Sequence, residues 1–333
     1  MGCCLLSGVI VGLVHRHATR LGLIDVPNAR SSHVRPTPSG GGLGIVIAYL
    51  SALTCLALYG QTGWAVISTV SAGAAIAVVG FLDDRAHVPP LGRILVHFVG
   101  SAWIVYWFGG APPIAELSDL PGWSLYGSLL TVIGLVWFVN LYNFMDGIDG
   151  IAGVEAVSVS LGGAALHWFF GAPESASGPV LLACAAAGFL IWNFPPAKIF
   201  MGDVGSGFLG IMLGAMTVQA AWVDSRIFWG WLILLGIFIV DSTLTLLRRL
   251  ARGERVYEAH RMHGYQHAAA MLGGPRIVIS VILLVNLLWL APIAFLVASG
   301  KVQGPIGLVL AYTPLIVAAL RLGAGTTGRT CIS

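Results

Sequence analysis

Apolar residues in this chain gather into long blocks separated by short polar segments. Crossing a hydrocarbon core of about 30 Å takes about 20 apolar residues in a helix. Runs of that kind occur roughly at 40–60, 64–81, 93–110, 124–143, 151–171, 178–194, 206–222, 227–247, 276–298 and 303–321. A shorter run opens the chain, from Gly2 to Val14, and as a helix it reaches only about 20 Å. It either snorkels through His15-Arg16-His17 or has lost residues upstream. A cleaved signal peptide would carry its charges before the apolar run and end in a small-residue site, whereas here the charges follow. The pattern therefore predicts an all-α polytopic membrane protein, a single transmembrane domain over 1–333 with about eleven helices.

Composition agrees with the pattern. With 57% hydrophobic residues and 9% charged ones, the chain is no soluble globule, whose charged fraction lies near a quarter. Placement of charge then sets the topology. If the N-terminus is outside, the inside loops are about 15–39, 82–92, 144–150, 195–205 and 248–275, and the C-terminal tail is cytoplasmic. Fifteen of the seventeen Lys and Arg residues fall in or at the borders of those segments, leaving only Arg226 and Lys301 outside. This is the positive-inside bias, and it accounts for the net charge of +3 with no nucleic-acid partner. The five cysteines are scattered, with no C-x-x-C pair, and read as small buried hydrophobes.

The same topology sorts the carboxylates. Glu116, Asp119, Glu174 and Asp224 fall in outer loops and read as solvated charges. Glu155 and Asp241 lie within or at the ends of spans, where each pairs with a neighbour, faces a cavity or serves function. The inside ones come in three clusters at helix ends: GFLDDR (80–85), NLYNFMDGIDG (140–150) and FMGDVGSGFLG (200–210). Asn140, Asn143 and Asp146 recur at three-residue spacing on one helical face. Asp203 opens a helix among glycines, where free backbone N–H groups meet an anion. Caps at the membrane interface are the plain alternative. Carboxylates that converge repel unless a cation sits among them. With no cysteine nearby, the expected ion is Mg²⁺, or Mn²⁺, shared with a phosphate-bearing substrate.

Two inside segments supply positive charge. Arg30, His33 and Arg35 precede Gly40-Gly41-Gly42, whose amides at a helix start can approach a phosphate closely. In RRLARGERVYEAHRMHGYQH (248–267), one face of a helix could carry His260, His263 and His267. Among five arginines, Arg261 included, this loop reads as a donor set for anionic phosphates, with a lipid-headgroup contact or a zinc site as alternatives. His87, His97 and His167 stand alone and read as packing.

Together DVPNARSSHVRPTPSGGG, FLDDR, NxxNFMDGIDGIAG, IFMGDVGSGFLG and the His-rich loop resemble the polyprenyl-phosphate N-acetylhexosamine-1-phosphate transferase superfamily, glycosyltransferase family 4, MraY/WecA-like. The match runs over about residues 20–270. HRMHGYQH replaces a run of adjacent histidines and is similar to the WbpL-type branch that initiates O-antigen synthesis. The resemblance implies a multi-pass enzyme of the bacterial inner membrane. It would transfer an N-acetylhexosamine 1-phosphate from a UDP-sugar to undecaprenyl phosphate and release UMP. It implies Asp203 as the main Mg²⁺ ligand with Asn143 beside it, Phe200 stacked on uracil, and Asp149 reading that base. Asp146 becomes a polar contact near the metal. His260, His263 and nearby arginines would hold phosphate or sugar, and Asp83 and Asp84 match the family's aspartate pair. A phosphate monoester has a second pKa near 6, so the attacking phosphate needs little base help. Asp83 and Asp84 are therefore expected to orient it or to help hold the metal. The loop favours a 6-deoxy sugar such as UDP-FucNAc or UDP-QuiNAc over UDP-GlcNAc, and family members suggest a homodimer. A secondary transporter of an anionic substrate is the rival class, but its charges belong at mid-bilayer in echoing halves.

Overall fold

The computed structural model describes residues 1–27, 35–60, 63–86, 88–254 and 260–326. Helix α1 (Gly2–Leu21) continues through His15-Arg16-His17, longer than the opening apolar run alone suggested. It does so because Ser7, Val11, Val14 and Ala18 keep one buried face on helical spacing. It stops where Gly22 turns left-handed, at φ 69. A two-stranded antiparallel hairpin follows, with β1 (Ile24–Asp25) and β2 (Thr37–Pro38) paired in the register Ile24 to Pro38 and Asp25 to Thr37.

The remaining helices are α2 (Gly42–Leu58), α3 (Trp64–Ala86), α4 (Pro90–Phe108), α5 (Trp123–Met145), α6 (Ile151–Phe169) and α7 (Ser177–Asn193). They continue as α8 (Asp203–Val223), α9 (Ser225–Leu234), α10 (Gly236–Ala251), α11 (Gly264–Met271), α12 (Pro275–Val285), α13 (Ala291–Ala298) and α14 (Gly304–Arg321). Each expected apolar stretch coincides with one helix or a broken pair. Among the described residues, eight helices are long and apolar enough to cross a membrane, or nine if α9 and α10 count as one span bent by 67°. Helix α2 is apolar but has only 17 residues. The α9–α10 bend was invisible to an apolar count because both halves are greasy. It falls at Leu235-Gly236, where the hydroxyl of Tyr312 donates to the Leu232 carbonyl at 2.7 Å. The ladder can break there without an orphaned carbonyl. Between α12 and α13 a single π-turn over Asn286–Leu290 precedes Pro292, whose ring removes a helical donor.

Helix α8 is the axis of the bundle. Its apolar window is 94% buried, and α3 and α5 make its most extensive contacts. A helix that is apolar all round belongs inside others, and small residues let the neighbours close in. A Cβ on Gly42 would overlap the backbone of Gly205, and one on Gly80 would overlap the Asp203 carbonyl. These two approaches press the start of α8 against the start of α2 and the end of α3. Three helix termini thereby meet at one end of the bundle.

Candidate active site

Helix α8 begins with its first amides unsatisfied, as every helix does. The side chain that satisfies them comes from α3: Asp84 accepts from the Asp203 N–H at 2.8 Å and from the Val204 N–H at 3.2 Å. The positive end of the helix thus binds the chain's own carboxylate, and these amides are not left open for a foreign anion. Gly202, at φ 76, stands so close that a Cβ there would lie 2.5 Å from an Asp84 oxygen.

Asp83, next to it, points the other way. Its Oδ1 accepts from the Val88 N–H at 2.7 Å, closing the α3–α4 turn, and its Oδ2 pairs with Arg93 Nη1. The same Arg93 nitrogen reaches Asp203 Oδ2 at 3.0 Å. The other Asp203 oxygen accepts from Asn143 Nδ2 at 2.7 Å, and that amide also touches Ser206 Oγ at 3.1 Å. Four helices therefore meet in one polar chain, Asp83–Arg93–Asp203–Asn143–Ser206. Arg93 supplies the cation that two carboxylates at this spacing require.

A cavity of about 1000 Å³ opens beside this chain. Its wall includes Asp83, Asp84, Asn143, Asp146, Asp149, Phe200, Asp203, Arg261 and His267. Asp146 caps α5. Burial first, then the charges of Asp203, Asp84 and Asp149, push its carboxyl well above the usual range. Asp149 is anchored by the Ala197 N–H at 2.9 Å. Asn193, buried on α7, takes the Gly150 N–H and gives a hydrogen bond to the Ile199 carbonyl, both at 2.9 Å, fixing the loops on either side of the cavity.

Other expected residues lie elsewhere. Asn140 sits on α5 with its amide turned back to the Val136 carbonyl at 2.7 Å, outside the cavity wall. Arg35 is exposed at the hairpin, while Arg30 and His33 lie outside the described residues. The Gly41 and Gly42 amides bind the Phe200 and Met201 carbonyls at 2.9 Å, so those glycines hold the site together and offer no open phosphate cradle.

The three histidines do not share a helical face. Helix α11 starts only at Gly264, His263 caps it and His260 precedes it. His260 and His263 stack at 4.9 Å and each packs against Phe144, behind the wall that His267 lines. Burial, with His263 and Arg249 nearby, pushes the His260 ring down to about 4. Asp241 takes N–H groups of Gly264 at 2.9 Å and Tyr265 at 2.8 Å, with His263 Nδ1 at 3.3 Å, so this span carboxylate positions the histidine loop. Sequence reasoning missed Arg93 and Ser206. A lone basic residue at the start of an otherwise apolar helix, ten positions after Asp83, was the available signal for Arg93.

Among the described residues no three His, Cys, Asp or Glu side chains form a ready metal cage. An ion that uses one or two carboxylates and finishes its shell with substrate phosphates needs none.

Comparison with known proteins places this geometry. Residues 64–221 match the model of "Glycosyl transferase family 4". A decaprenyl-phosphate N-acetylglucosaminephosphotransferase of Mycolicibacterium smegmatis is 31% identical over 94% of this chain and 86% of its own length. A probable undecaprenyl-phosphate N-acetylglucosaminyl 1-phosphate transferase of Bacillus subtilis is 29% identical over 84% of this chain and 79% of its own. A phospho-N-acetylmuramoyl-pentapeptide-transferase of Lactococcus lactis is 30% identical over 74% and 79%. The matched region carries Asp83, Asp84, Arg93, Asn143 and Asp203, and with similarity that runs through nearly the whole sequence the chain belongs to glycosyl transferase family 4.

Proposed function

We propose that the chain transfers an N-acetylhexosamine 1-phosphate from a UDP-sugar to a polyprenyl phosphate, undecaprenyl phosphate, and releases UMP. The observation that carries this reading is the polar chain from Asp83 to Ser206 beside a large cavity at one end of an apolar bundle. A lipid tail can stay among the helices while its phosphate meets a water-soluble donor at that end. An oxygen of the lipid phosphate bonds to the β-phosphorus, the bond to the bridging oxygen breaks, and the bridging oxygen leaves on UMP. Such a step is mostly positioning and charge neutralisation.

The donor set suits Mg²⁺, with Mn²⁺ as a substitute: Asp203 would hold it with Asn143, and Asp83 and Asp146 line the same cavity. When bound, the ion would neutralise diphosphate charge. Arg93 keeps the Asp203 carboxylate oriented, and Asp84, by capping α8, fixes where Asp203 stands. Asp83 orients Arg93 and acts as no base, since the attacking phosphate is largely deprotonated already. Phe200 offers a ring for uracil and Asp149 an acceptor for its N–H, while Arg261 carries charge for phosphate.

The finer reading places the site on the cytoplasmic face of the bacterial inner membrane, with eleven spans and the N-terminus outside. It assigns the enzyme to the first membrane step of O-antigen or other surface polysaccharide synthesis, with a 6-deoxy N-acetylhexosamine donor as in the WbpL-type branch, and a homodimer as its assembly. The test is UMP release by purified protein given undecaprenyl phosphate, Mg²⁺ and a panel of UDP-N-acetylhexosamines. Wild type should turn over at least one donor and Asp203→Asn should fall by about a thousandfold or more. Release by no donor, or an unimpaired Asp203→Asn, overturns the proposal. For Asp83→Asn, restoration of rate at high pH would establish a base in its place.

A further inference from the structure

The segment that follows α14 reaches back to the site. After α14 the backbone turns through Leu322 to Thr326, with Gly323 and Gly325 both left-handed at φ 76 and 74. Three hydrogen bonds hold the turn against the histidine loop and α10. Arg248 Nη1 donates to the Ala324 carbonyl at 2.7 Å, the Gly325 N–H to the Met262 carbonyl at 2.6 Å, and His267 Nδ1 meets the Leu322 carbonyl at 2.9 Å. Ala324 is fully buried against Val240 and Ala319. A Cβ on Gly325 would stand 2.9 Å from the Thr245 carbonyl oxygen and from the Arg248 Cβ, so only glycine fits that place.

This contact decides the chemistry of His267. A carbonyl oxygen only accepts, so Nδ1 carries the proton, and in the neutral ring Nε2 then carries the lone pair. Nε2 has no hydrogen bond within the described residues, and the ring lines the cavity. A lone pair there repels phosphate oxygens and welcomes a hydroxyl hydrogen.

We infer that the C-terminal turn holds His267 as a hydrogen-bond acceptor which selects the donor substrate through one of its hydroxyls, on the sugar or on the ribose. The inference rests on the proposed transferase reading. It assigns to His267 the reading of a hydroxyl and leaves phosphate to the arginines.

The test compares wild type, His267→Phe, His267→Arg, Gly325→Val and the His267→Phe/Gly325→Val double variant. The substrates are the UDP-N-acetylhexosamine that wild type uses, its deoxy analogues on the sugar, and its 2′-deoxyribose analogue. Loss of one hydrogen bond should raise the donor KM of His267→Phe and Gly325→Val about tenfold, with kcat and the lipid KM near wild type. The double variant should be no worse than either single one. One deoxy donor should bring wild type down to His267→Phe, and which one does so names the hydroxyl. An unchanged donor KM in His267→Phe, or wild-type KM in His267→Arg, overturns the inference, the latter by showing a phosphate-binding cation. Should wild type release no UMP, the transferase reading falls by itself. Calorimetric titration with the UDP-sugars and with UMP then decides His267 separately. A UDP-sugar affinity that His267→Phe lowers about tenfold supports the inference, with UMP weakened alike if the hydroxyl is on the ribose and unchanged if it is on the sugar, and an affinity that His267→Phe leaves unchanged, or no binding to wild type, overturns it.

Discussion

Two aspartates that meet at the start of α8, Asp84 and Asp203, do different work, and the difference is measurable. Asp84 spends its carboxylate on the first amides of α8, while Asp203 turns its oxygens to Arg93 and Asn143. Asp84→Ala should therefore cost about 1–2 kcal/mol of stability, as loss of an N-cap does, seen as a lower melting temperature in detergent. Asp203→Asn should melt near wild type and fail in catalysis. Equal melting of Asp84→Ala and wild type would show the cap to be idle. His260 gives a second residue-scale expectation, because its ring is pushed down to about 4, chiefly by burial. Unfolded, the same ring takes a proton near 6.5. Above that pH the group is neutral in both states and contributes nothing. As pH falls below about 6.5 the unfolded chain gains a proton the fold refuses, so stability declines until about pH 4. Melting curves from pH 7 to 5 should drop less steeply for His260→Phe than for wild type, and parallel curves would count against this burial effect.

Elements were the most legible level, and their ends the least. Every long apolar stretch became a helix or a broken pair because twenty greasy residues in a row leave the backbone no other way to satisfy itself in lipid. The polar clusters at 80–85, 140–150 and 200–210 also converge, as the one-sided charge pattern required. What the pattern could not carry was partner choice. The N–H groups at the starts of α2 and α8 looked open because nothing local satisfies them. Their partners, the Phe200 and Met201 carbonyls and Asp84, lie more than a hundred residues away in sequence. Arg93 escaped notice for the same reason, since its role depends on Asp203 arriving beside it. The close approach that enables all this is open to test. Gly80→Val should overpack the α3–α8 contact and destabilise by about 1–3 kcal/mol, lowering melting temperature and activity together. Gly92→Ala, whose Cβ would meet nothing nearer than 3.6 Å, should leave both unchanged. Equal behaviour of the two variants would mean that α3 and α8 have room to spare.

At the scale of the whole molecule, the site and most of the basic residues share an end, Arg226 and Lys301 excepted. Arg93 and Arg261 stand at the cavity, Arg248 and Arg249 close α10, and Lys198 lies on the Asn193–Asp203 connection. At the far end, exposed Asp119 lies between α4 and α5. Lys and Arg are retained on the cytoplasmic side of a bilayer, so the cavity end should face the cytoplasm. In a variant without native cysteines, Asp119→Cys should react with a membrane-impermeant maleimide in intact spheroplasts. Ala251→Cys, exposed at the end of α10, should react only after the membrane is permeabilised. The reverse pattern would turn the cavity outward, away from any cytoplasmic nucleotide donor, and would remove the proposed reaction whatever the side chains inside the cavity are able to bind.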